Sequence, residues 1–158
     1  MSQRTVEIQP VFRIDLGSVR KWLNRHSIDV LRVSLGAVFL GFGVLKFFPG
    51  VSPAEGLAVD TVETLSLGLL TGPVALLATA AIESVIGLTL VTRRFVRTGL
   101  TLLGVALVGI LAPVVLFFGD LFPKGTPTLE AQYVLKDIVL AAAGLVVAAS
   151  ALGSRLTD

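Results

Sequence analysis

Five ionisable residues interrupt otherwise apolar runs, and they are the side chains that could do chemistry: Arg32, Lys46, Glu83, Lys136 and Asp137. A charge inside hydrocarbon costs on the order of 2.5 kcal/mol or more unless it is paired, so each asks for a partner or a ligand. Arg32 lies a few residues into the first apolar run and Glu83 about two turns into the second, counted from the same side. The axial gap is roughly 6 Å, which predicts an Arg32–Glu83 ion pair. At the opposite side Lys46 and Asp137 form the matching expectation. Lys136 is left to snorkel outward or to meet an acid of the intervening 53–67 segment. Such pairs can do no more than fix which helices meet. If Arg32 does not reach it, Glu83 near mid-membrane is expected to be protonated, where it could relay a proton or hydrogen-bond a ligand.

Composition narrows the chemistry further. The chain has no Cys, which excludes thiolate catalysis, iron–sulfur clusters and Cys-bound zinc, and its one His, His26, precedes the first run. No phosphate-binding loop, metal-ligand cluster or nucleophile–base pair is present, so no catalytic residue and no metal is expected. A formal charge of +2 on 158 residues gives no reason to expect nucleic acid as a partner.

The elements that must hold these residues are membrane spans. Over half the residues are hydrophobic, only 15% are charged, and the apolar residues come in blocks. Four blocks have the ~20-residue length of a bilayer crossing, at about 28–48, 73–91, 98–118 and 133–152. The fold class is therefore all-α, an integral membrane four-helix bundle with the lipid bilayer as its principal partner. Residues 1–27 form an N-terminal segment with a polar lead. From Asp15 a short amphipathic helix is expected, with Leu16, Val19, Trp22 and Leu23 on one side and Arg20, Lys21 and Arg25 on the other, lying in the headgroup layer. The segment does not read as a cleavable signal peptide. Ser52-Pro53-Ala54-Glu55 has capping-box spacing and predicts a surface helix from Pro53 to about Leu67. Pro113 predicts a kink in the third span. Residues 153–158 are the tail.

On the first span Arg32, Gly36, Phe39, Gly43 and Lys46 share one face, which must meet protein rather than lipid. Gly36, Gly43, Gly87, Gly104 and Gly144 are expected to let helices approach closely, and a Gly-rich third span is a candidate homo-oligomer face. Basic residues crowd the N-terminal segment and the 93–97 loop and the tail adds Arg155, whereas the two opposite loops hold only Lys124. The asymmetry predicts that both termini are cytoplasmic.

These residues resemble a known family. Arg32-x-x-x-Gly36 and Gly43-x-x-Lys46 in the first span, Glu83-x-x-x-Gly87 in the second and LKDIVLAAAG in the fourth are similar to the DoxX-like membrane proteins. The KFFPG-x-SP and VLKD segments resemble the YkgB-related group. The resemblance covers residues 28–152 and implies a four-span protein of the prokaryotic cytoplasmic membrane. It further implies a non-catalytic subunit or accessory protein of a respiratory or redox-stress system, with quinone or lipid as ligand and redox-complex subunits as partners. Arg32, Lys46, Glu83, Lys136 and Asp137 are the polar core it carries over. Two other expectations stay open: a small proton- or solute-conducting protein using Glu83 and Lys136–Asp137, and the membrane subunit of a quinone-dependent oxidoreductase.

Overall fold

The computed structural model describes residues 15–52 and 54–153. The polar lead of the N-terminal segment, Pro53 and residues 154–158 of the tail, with the expectations placed on them, lie outside that range. The described chain is helical, without strands.

Helix α1 spans Leu16–Leu45, 30 residues without a break. The expected division into an interfacial helix and a separate first span therefore does not occur. No proline stands between Leu16 and Leu45, so nothing in the sequence interrupts the hydrogen-bond ladder. Asp15 starts the helix: its carboxylate accepts from the Gly17 amide at 3.0 Å and the Ser18 hydroxyl at 2.6 Å. These bonds, the Ser18 hydroxyl first, hold the Asp15 carboxyl below the usual carboxylate range.

After a loop, α2 covers Glu55–Leu65. The expected capping box is not formed. Ala54, not Ser52, occupies the cap position and supplies no side-chain bond, while the Glu55 carboxylate accepts from the Gly50 amide at 2.7 Å. Glu63 does a similar job at the other end, accepting from the Gly72 amide at 2.6 Å. The two carboxylates tie the loops on either side of α2.

Helix α3 spans Gly72–Thr92 and α4 spans Val96–Leu111, joined by a turn in which Arg93 and Phe95 are both left-handed. Pro113 has no amide hydrogen, and the third span is interrupted there as expected. It resumes as α5, Pro113–Leu116, followed by the short α6, Phe118–Leu121. Helix α7 runs Leu129–Ala151, beginning four residues before the expected start because the Thr128 hydroxyl caps it at the Ala131 amide. Lys136 and Asp137 thus lie about two turns inside the helix rather than one.

Among the described residues four helical spans, α1, α3, α4 with α5, and α7, are long and apolar enough to cross a membrane. They close into a ring, with α1 on α3, α3 on α4, α4 on α7 and α7 back on α1, while α2 lies mainly against α3. The fold is an all-α four-helix bundle of a multi-pass membrane protein. Leu35, Phe39, Ile86, Leu90 and Leu103 form its packed core. Val105, Val108, Val139 and Leu145 point outward and are exposed, the surface that lipid would cover.

The α1–α3 seam is tight because it is built on glycine. A Cβ at Gly87 would lie 2.6 Å from both the Gly36 carbonyl oxygen and the Leu40 Cα, and one at Gly43 would lie 2.7 Å from the Ser84 amide nitrogen. Gly144 brings α7 close to Leu103 of α4. Gly104 does not act in this way. A Cβ there would meet nothing within 4 Å, because the residue faces outward.

Candidate functional site

The two buried cations of the first span, Arg32 and Lys46, meet different partners from those expected. Lys46 donates to Glu83 Oε2 at 2.6 Å, and both residues are 6% exposed. Arg32 does not reach Glu83. Its guanidinium donates to the Leu90 carbonyl, more distantly to the Val91 carbonyl at 3.4 Å, and to Asp29 at 3.3 Å.

Side-chain direction explains both outcomes. The Cα–Cβ bonds of a helix tilt toward its N-terminus, and α1 and α3 are antiparallel. With Gly43 packed on Ser84, Lys46 stands beyond Glu83 and points back toward it, while Glu83 points up toward Lys46. Arg32 points the opposite way, toward the last turn of α3. There the carbonyls have no intrahelical donor and carry the negative end of the helix dipole. Arg32 is therefore a C-cap for α3 supplied by another helix.

Lys46 is occupied by Glu83, so the expected Lys46–Asp137 pair is absent as well. Among the described residues the ion pairs are Arg32–Asp29, Arg93–Asp29 and Lys46–Glu83. Asp137 is half-buried and within electrostatic reach of both Lys46 and Glu83. Lys136 is exposed, with its ammonium 5.2 Å from the centre of the Tyr133 ring rather than on an acid of α2.

What brings Lys46, Glu83 and Asp137 together is a cavity of about 720 Å3 among α1, α2, α3, α4 and α7. Its walls are mostly apolar, with Phe39, Leu57, Ile110 and Leu140 among them. Ser52, Thr61 and Thr79 also line it, and sequence reasoning did not single them out. Thr61 and Thr79 donate back to their own helices, at Leu57 and Ala75. Gly109 and Pro113 add a further feature: proline cannot bond the carbonyl four residues earlier, so the Gly109 carbonyl lacks its ladder partner beside the cavity. Phe42, Val105 and Val139 border the cavity and are also exposed on the outer surface, so it opens toward the lipid-facing side. On its inner side the packed core separates it from Arg32.

The arrangement is that of a pocket for an amphiphile: apolar walls with a few convergent polar groups at one place. Lys46 keeps donors beyond the one given to Glu83, and Asp137 keeps acceptors. Among the described residues no three His, Cys, Asp or Glu side chains converge as a metal site would need. Comparisons with protein-family models, characterised proteins and solved structures find no match to this chain.

Proposed function

We propose that this chain is a DoxX-like protein of a prokaryotic cytoplasmic membrane that binds a quinone or a lipid in the α2-capped cavity. Within a quinone-linked respiratory or redox-stress system it serves as a non-catalytic subunit or accessory protein. The observation that carries the reading is the cavity itself. Its volume falls in the range of ligand pockets, its walls suit an isoprenoid or acyl chain, and its polar groups gather where a head group would sit. Lys46 can donate to a quinone carbonyl and Asp137 can accept from a quinol hydroxyl, so the residues present fit such a group. A quinone supplies two-electron redox chemistry, and a chain without Cys leaves any electron transfer to a partner subunit. This reading has both termini on the cytoplasmic side, which the arginines at 93, 94 and 97 support.

Native mass spectrometry of the protein gently extracted from its own membrane, with analysis of bound small molecules, tests the reading. A quinone or lipid retained in defined stoichiometry, and lost in Gly109→Leu, supports it. Gly109 lines the cavity and a Cβ there would meet nothing within 4 Å, so a larger side chain can be introduced at this wall to occlude the pocket. Bulk lipid alone, unchanged by the variant, overturns it.

The conducting alternative uses the same Glu83 and predicts a pH-dependent flux that Glu83→Gln abolishes. Leu35, Phe39, Ile86, Leu90 and Leu103, each no more than 3% exposed, stand between the cavity and the far end and count against a continuous path.

A further inference from the structure

The opposite end of the bundle holds a second cleft, of about 550 Å3, between the middle of α1 around Ile28–Arg32, the first turn of α4 and the end of α7. Arg32, Arg93 and Arg97 line it, and Asp29 is its one acidic residue, so three cations face a single carboxylate. Asp29 is shared between Arg32 at 3.3 Å and Arg93 at 3.5 Å, and Arg97 takes part in no ion pair among the described residues. The 16-residue helix α4 starts in this cleft with no side chain capping it. Its first amides and the positive end of its dipole therefore face the same space. Independently, the Nε of Arg32 is fully buried and has no hydrogen-bond partner, a costly state for a guanidinium donor.

We propose that this cleft binds a phosphate group, with Arg93, Arg97 and the first amides of α4 as its ligands and Arg32 as the buried charge behind them. Guanidinium groups and free helix amides are the donors that phosphate oxygens favour, and the excess of positive charge matches an anion. The cleft lies at one end of the apolar slab, where the headgroups of anionic phospholipids stand, and Val147 and Ala151 offer an apolar wall beside it. The phosphate is either that headgroup or a free phosphate ion from solution.

The test uses the full chain in nanodiscs, comparing phosphatidylcholine alone, phosphatidylcholine with phosphatidylglycerol, and phosphatidylcholine with added inorganic phosphate. Native mass spectrometry reads bound anionic lipid, and thermal unfolding reads protection. Arg93 and Arg97 are exposed, so the Arg93→Gln/Arg97→Gln variant keeps the fold. Arg94→Gln removes the same charge from the same turn but outside the cleft. Retention of phosphatidylglycerol, reduced roughly tenfold in the double variant and unchanged in Arg94→Gln, is the expected result and assigns the lipid source. Protection by inorganic phosphate with the same variant pattern supports the site with a soluble ligand. Absence of both effects, or an equal loss in Arg94→Gln, overturns the proposal, since a diffuse basic surface would not distinguish the arginines.

Discussion

Helix α1 buries two cations, and the bundle satisfies them in different ways. Lys46 faces one carboxylate, Glu83, in a hydrogen-bonded pair beside a cavity. Arg32 faces the carbonyl end of α3, with only a half-exposed Asp29 for counter-charge. The first arrangement isolates two charges that depend on each other. The second spreads one charge over several dipoles, none of which becomes a stranded charge if the arginine is removed.

That difference orders the expected effects of mutation. Lys46→Met leaves Glu83 buried without its partner and should cost about 3–5 kcal/mol of stability, measured by SDS-induced unfolding in mixed micelles. Lys46→Met/Glu83→Leu should recover most of the loss. If the double variant is as unstable as the single, the pair is not the unit described here. Arg32→Met should cost less, about 1.5–3 kcal/mol, because it leaves behind neutral carbonyls and a half-exposed Asp29 that still pairs with Arg93. An Arg32 loss larger than that of Lys46 would reverse the comparison.

The seam that sets these partners can be broken separately. Gly87→Ala drives a methyl into Gly36 and Leu40 and should cost about 1–3 kcal/mol. Gly104→Ala meets nothing and should be neutral or stabilising by up to about 1 kcal/mol, since alanine is the better helix former. At the exposed start of α1 the smallest effect is expected. The Asp15 carboxyl is held below its ordinary value, so its contribution is present at neutral pH and is lost as the pH falls through its folded-state value. A Gly17 amide resonance that titrates with a midpoint below that of a free Asp would report this.

Four apolar spans, their order and the break at Pro113 were legible in the sequence, because length, hydropathy and proline act locally, whereas Lys136, counted with the polar residues, is exposed. Pairing was not legible, because it depends on register. Matching Arg32 to Glu83 by depth alone neglected that the two side chains lean in opposite directions along antiparallel helices. The glycines held the missing information: once Gly43 is set against α3 near Ser84, Lys46 becomes the neighbour of Glu83. Asp29, three residues before Arg32, signalled that the arginine had a partner on its own helix. The cavity had no signature in any one segment, since five helices contribute to it.

The unbroken course of α1 has a mechanical consequence. A rod of 30 residues is about 45 Å long, well beyond a hydrocarbon layer of roughly 30 Å, and it contains no joint at which to bend. Bilayer thickness or tension acting on its Trp22 end is therefore transmitted as tilt along the whole rod. Lys46, which caps its other end, lines the cavity, so the tilt of α1 and the position of one cavity wall are geometrically linked.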